Sequence, residues 1–207
     1  MPISKGKAFP DKRPLFYYIT DRRQLHGTSL IACIRRAIAT GVDFVQIREK
    51  DLEDRALFEL TRRVLALVDG TACRVLVNGR ADIALAAGAH GVHLPSTGLQ
   101  IPDIRKWLPP SLLVGLSAHT LAEIRRACEW KADYVLMGHI FPTRSKSGFG
   151  PPVGLNRLKK ACSGASVPIL GLGGIKPELI GSVLAAGAAG VAGISLFQDA
   201  RYGIQKH

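Results

Sequence analysis

Apolar positions along the chain fall into two alternating patterns. Short β-branched runs predict eight strands, at Phe16–Thr20, Phe44–Ile47, Arg74–Asn78, Gly91–Leu94, Leu112–Leu116, Tyr134–Met137, Pro168–Gly171 and Gly190–Ile194. Between them, apolar residues recur every three to four positions. That spacing predicts helices over Ser29–Ala39, Glu53–Val68, Ala81–Ala87, Pro102–Trp107, Leu121–Trp130, Leu155–Ala161 and Pro177–Ala186. Strands that alternate with helices argue for a parallel sheet.

The pattern also repeats. The octet Leu85–Val92 returns almost unchanged as Leu184–Val191, 99 residues later. The helix-to-strand junctions Gly41–Gln46 and Lys131–Leu136 agree, 90 residues apart. Units recurring at half-chain spacing favour a closed ring over an open doubly wound sheet. The expected fold is therefore α/β, a single (βα)8 TIM barrel over residues 15–198, with a flexible basic leader at 1–14 and a tail at 199–207. Such a ring places chemistry on the loops that follow the strands.

Composition narrows the class. With 207 residues, 47% of them hydrophobic, the chain can bury one sizeable core. It has no apolar run long enough to span a membrane. The basic, polar segment Met1–Arg13 lacks the apolar stretch of a secretory signal, so a cytoplasmic location is expected. Cys33, Cys73, Cys128 and Cys162 have no metal-like or redox spacing and are expected to be reduced, packed thiols. The net charge of +12 raises the idea of nucleic acid. Lys and Arg are dispersed over the helices, however, without an aromatic–basic RNA motif, which argues against that partner. A positive field that attracts small phosphorylated molecules is the alternative to plain solvated helix faces.

Candidate chemistry collects at the strand ends. Gln46, Arg48 and Lys50 alternate with Ile47 and Glu49, so period two puts an amide and two cations on one face. They would suit a phosphate or carboxylate, or else form a salt-bridged loop running into Asp51 and Glu53. Asn78 closes the third strand, and Ser117 and His119 follow the fifth. An imidazole at a barrel rim can act as acid or base near neutral pH. His119 could equally be a polar loop residue, and His93 and His139 also lie near strand ends. The stretch Pro142–Pro152 is rich in Thr, Ser, Lys and Gly and reads as a binding loop or lid. Gly173-Gly174 after the seventh strand and Ile194-Ser195 after the eighth stand where barrels commonly bind phosphate. Tight turns alone would explain either loop singly, and the two together favour phosphate.

These segments together resemble the thiamine phosphate synthase/TenI superfamily, over about Leu15 to Gln198. The resemblance is carried by Tyr18-Ile19-Thr20-Asp21, Val45–Lys50, Gly91–Leu94, Gly115–His119, Ile140–Thr143 through Lys146, and Gly173-Gly174-Ile175. It implies a (βα)8 barrel acting in thiamin biosynthesis, in a family of small barrels that tend to form homodimers. By resemblance, Gln46, Arg48, Lys50, Asn78, Ser117 and Lys146 would hold a pyrimidine diphosphate. Thr143, Arg144, Ser145, Gly173, Gly174, Ile194 and Ser195 would hold a thiazole phosphate. Synthases of the superfamily use Mg²⁺ bound by aspartates after the third and fourth strands. Here those places read Asn78-Gly79 and Pro95-Ser96-Thr97-Gly98, so no protein metal site is expected. Asp82 is a doubtful replacement.

The lost aspartates and Gly138-His139-Ile140-Phe141 are similar to the TenI-like branch, whose members are thiazole tautomerases needing no metal. The loop Pro142–Lys146 is more like a synthase. On the sequence alone the leading expectation is a metal-independent thiazole tautomerase with His119 as its acid–base residue. A thiamine phosphate synthase, with Mg²⁺ brought by substrate phosphates, is the alternative. A non-catalytic binder of thiazole or thiamin phosphate is the third.

Overall fold

The computed structural model describes residues 9–10, 14–25, 27–143 and 150–199. Among these described residues eight strands alternate with eight helices: β1 Leu15–Ile19, α1 Leu30–Ala39, β2 Phe44–Ile47, α2 Asp54–Val68, β3 Arg74–Asn78, α3 Ala81–Ala87, β4 Gly91–Leu94 and α4 Ile101–Ile104. The second half runs β5 Leu113–Ala118, α5 Leu121–Glu129, β6 Tyr134–Gly138, α6 Gly154–Gly164, β7 Ile169–Leu172, α7 Ile180–Ala185, β8 Gly190–Gly193 and α8 Ser195–Gln198. Every strand pairs in parallel with its sequence neighbour, and β8 closes on β1, with Leu15 opposite Gly190. The expected single (βα)8 barrel is the observed fold. None of the helices among the described residues is long and apolar enough to cross a membrane.

The period-two alternation of the strands divides the apolar residues between two cores. Outward-facing Phe16, Tyr18, Val45, Val75, Val77, Val92, Val114 and Val135 meet the helices. Inward-facing Leu15, Tyr17, Phe44, Leu76, Leu113, Tyr134, Leu136 and Leu170 fill the barrel.

The half-chain repeat has a structural meaning. Asp43 before β2 accepts the backbone N–H of Phe16, the second residue of β1, and Asp133 before β6 accepts that of Val114, the second residue of β5. Each aspartate thus fastens its own strand to the preceding one. The octets form the α3–β4 and α7–β8 junctions, turning at Gly88 and Gly187 with φ of 76° and 91°.

The structure departs from the sequence reading in several places. β5 extends to Ala118, because Ser117 and Ala118 pair with Leu136 and Met137 of β6. α4 stops at Ile104, three residues short of Trp107, which is half exposed and lacks the packing that would extend the helix. α8 and a 3-10 turn at Arg22–Gln24 were not anticipated. Within the expected flexible leader, Phe9 stacks on Phe44 and Tyr134, with ring centroids 5.2 and 5.3 Å away. Phe44 and Tyr134 open their strands, so Phe9 covers the end of the barrel opposite the strand-end loops. The barrel bottom is apolar and gains by being covered, which explains why this part of the leader is packed. The four cysteines are free thiols, and burial pushes Cys73 up to about 12.

Candidate active site at the strand ends

Gln46, Asn78 and Ser117 point inward near the barrel mouth, on β2, β3 and β5. Gln46 is fully buried and donates from Nε2 to Asn78 Oδ1 at 2.9 Å. Its Oε1 accepts from the Tyr17 hydroxyl at 3.0 Å. Tyr17 Oη lies 2.7 Å from Tyr134 Oη, which lies 3.1 Å from His93 Nδ1. His93 Nε2 in turn meets Ser117 Oγ at 2.8 Å. Six polar side chains from six strands thus form one continuous path through the core, with Asn78 and Ser117 at its partly exposed ends.

Burial, helped by the positive Arg48, pushes His93 down to about 3, so its ring is neutral. Burial also raises Tyr17 and Tyr134, keeping both hydroxyls protonated. Sequence reasoning did not connect these three. Their shared signal was a ring at an inward position, with Gly115 standing between His93 and Tyr134 in the sheet. A Cβ on Gly115 would overlap the Tyr134 ring, so glycine on β5 is what lets that ring lie across to His93.

Above this path, the Arg48 and Lys50 cations share a region. Lys50 is lowered from the usual lysine value of 10.5, chiefly by Arg48, then by burial and Arg23. The alternative of a salt-bridged loop holds for the intervening acids but not for these cations. Glu49 accepts the Arg22 backbone N–H at 3.0 Å and pairs with its guanidinium at 3.2 Å, while Asp51 takes Arg22 Nη2 at 2.8 Å. Among the described residues, Arg48 and Lys50 have no carboxylate within ion-pair distance. Two cations without an ion-pair partner among the described residues, beside a buried amide network, form a site suited to an anion.

His119 continues β5 into the mouth. Its Nδ1 bonds the Gly138 carbonyl, which can only accept, so Nδ1 carries a proton and Nε2 is left facing the mouth. The His119 backbone N–H is held by Glu123 at 2.6 Å, within the capping box that starts α5. His139 is buried, and its carbonyl accepts from Val153.

Gly173 and Gly174 follow β7 at φ of 92° and 68°. A Cβ on Gly173 would come within 2.6 Å of His139 Cβ, and one on Gly174 within 2.5 Å of the Phe141 carbonyl. The glycine pair therefore has a structural duty, letting the segment after β6 pass close over β7. Thr143 is half-buried on that segment, and Ile194 and exposed Ser195 stand at the start of α8, after β8, which neighbours β7. Arg144, Ser145 and Lys146, with most of the expected lid, lie outside the described residues.

The donor set does not fit a protein-bound Mg²⁺. Asn78 Oδ1 is engaged by Gln46, the Pro95–Gly98 turn holds no acid, and Asp82 is paired with Arg80 at 2.6 Å. Among the described residues, three His, Cys, Asp or Glu side chains are nowhere grouped to hold a metal ion.

Comparison with known proteins places this geometry. The family described as "Thiamine monophosphate synthase" matches residues 16–197. The chain belongs to the thiamine monophosphate synthase family. It is 45% identical over 192 residues to the thiamine-phosphate synthase of Anaeromyxobacter dehalogenans, covering 91% of this chain and 84% of that one. It is 37% identical over 187 residues to the thiamine-phosphate synthase of Roseiflexus castenholzii, covering 90% and 82%. Among solved structures, thiamine phosphate pyrophosphorylase from Pyrococcus furiosus superposes with a TM-score of 0.82 at 30% identity, covering 91% of this chain and 89% of its own. This is a thiamine-biosynthetic family of enzymes, and its fold is the barrel described above.

Proposed function

We propose that this family member is a thiamine-phosphate synthase, joining a hydroxymethylpyrimidine diphosphate to a thiazole phosphate with release of diphosphate. The ranking reached from sequence is thereby reversed, because relatives similar over most of their length carry the synthase name. The observation that carries the reading is the Arg48–Lys50 pair, left without carboxylate partners at the mouth. Coupling expels a diphosphate, and preorganised cations stabilise charge that develops on a leaving group. With no acids grouped for a metal among the described residues, that stabilisation rests on Arg48 and Lys50. Gly173, Gly174, Thr143 and Ser195 would receive the thiazole phosphate.

A thiazole tautomerase is the second reading, favoured by the fixed Nδ1–H of His119, which leaves Nε2 ready to move a proton. One experiment separates the two. The purified protein is given thiazole phosphate carboxylate with and without the pyrimidine diphosphate, each with and without added Mg²⁺. Thiamin phosphate formation that falls roughly a hundredfold in Arg48→Ala supports the synthase. Aromatisation of the thiazole alone, lost in His119→Ala, would replace it with the tautomerase. Binding without turnover would leave the non-catalytic reading.

A further inference from the structure

The path Asn78–Gln46–Tyr17–Tyr134–His93–Ser117 has a direction. Gln46 sets it, with Oε1 toward Tyr17 and Nε2 toward Asn78. Each hydroxyl owns one proton, and so does a neutral imidazole. Tyr17 gives its proton to Gln46, so Tyr134 must donate across their 2.7 Å contact. The Tyr134 proton is then spent, so His93 Nδ1 must donate across 3.1 Å. A neutral ring with Nδ1–H has a bare Nε2, and Ser117 must therefore donate across 2.8 Å.

We infer that this one-way chain fixes the polarity of the barrel mouth: Ser117 faces the ligand as an acceptor, Asn78 faces it as a donor, and Tyr17, Tyr134 and His93 are the positioning residues that hold both in those roles. The only other self-consistent arrangement reverses every bond together, Gln46 included. Bonds pointing the same way polarise one another, which favours a uniform chain over a broken one. The cations lie on the Asn78 side, since Arg48 and Asn78 extend adjacent strands, and an anion there selects the donor face of Asn78. Ser117 stands two strand spacings away, about 10 Å. The ligand class that fits carries an oxyanion at one end and an N–H or O–H at the other. A diphosphate oxygen, which only accepts, belongs at Asn78, so Ser117, placed by resemblance in the diphosphate set, meets a donor of the ligand instead. This ligand assignment rests on the anion reading above, whereas the tautomer of His93 follows from the orientation of the Gln46 amide.

Histidine ring nitrogens labelled with ¹⁵N report tautomers directly by NMR, and the His93 signal is the one absent from His93→Gln. The chain requires a neutral Nδ1–H ring that does not titrate between pH 5 and 8 in the ligand-free protein. An Nε2–H ring, or a titrating one, would overturn the direction. In Tyr17→Phe the Tyr134 proton loses its acceptor and turns to His93 Nδ1, so the ring should convert to Nε2–H two groups away. Retention of Nδ1–H would refute the coupling. Should that variant not fold, Tyr134→Phe, which keeps the ring on Gly115, must abolish the single-tautomer signal. Added inorganic pyrophosphate should shift the Asn78 side-chain amide while His93 keeps Nδ1–H. An unmoved Asn78 amide would remove the ligand half of the inference.

Discussion

Lys131 is the one non-glycine residue with positive φ among the described residues, at 55°, and its repeat-equivalent in the first half is Gly41, at 87°. An L-residue there costs about 1–2 kcal/mol, which exceeds the entropy lost by glycine. Lys131→Gly should therefore raise stability by roughly 0.5–1 kcal/mol, read as a higher unfolding midpoint in urea. Glu123 shows how a local cap reaches the site. Burial works against its charge, but the backbone N–H groups of His119 and Thr120 and the Thr120 hydroxyl outweigh it and lower it from the usual 4.5. A carboxylate lowered on folding adds stability that is present above its unfolded value and is lost as pH falls through the folded one. Glu123→Ala should cost about 1 kcal/mol near neutrality, and the gap from the parent should close below about pH 4. Denaturant titrations at several pH values check both the size and the sign.

At the level of strands and helices, the alternation of β-branched runs with helical periodicity placed nearly every element within a few residues. Gln46, Arg48, Asn78, Ser117 and His119 were legible because period two and the strand-end rule are local. The Tyr17–Tyr134–His93 path was not, because it depends on which strands neighbour which and on one ring lying over a glycine. Nor does sequence reveal that Asp51 answers to Arg22, 29 positions away, since that pairing exists only once β1 and β2 are side by side. Gly173 and Gly174 were read through phosphate, yet their close contacts with His139 and Phe141 give them a structural duty the sequence could not display. Gly115 is the sharpest test at this scale. Gly115→Ala sets a methyl group against the Tyr134 ring and should destabilise the barrel by about 1–3 kcal/mol. It should also broaden the near-ultraviolet circular dichroism of the tyrosines, because Tyr134 must leave its bonds to His93 and Tyr17. A variant with parental stability and spectrum would mean that β5 yields without moving the ring.

Across the whole molecule the two ends of the barrel have separate duties. Phe9 closes the bottom against Phe44 and Tyr134, far from the strand-end loops. Phe9→Ala should lower stability by about 1–3 kcal/mol, measured by thermal unfolding. At the top, the seam between the last helix and the first strand is fastened by reciprocal bonds, with Gln198 Oε1 accepting from the Asp21 N–H at 3.2 Å and Gln198 Nε2 donating to its carbonyl at 3.0 Å. Beside that seam, Arg22 occupies both Glu49 and Asp51. These two acids flank Lys50 in the sequence, while Arg23 pairs with Asp21, the carboxylate that acts on Lys50. The mouth is thus charged in advance, and capture of an anion should be fast in dilute buffer and slow steeply as ionic strength rises.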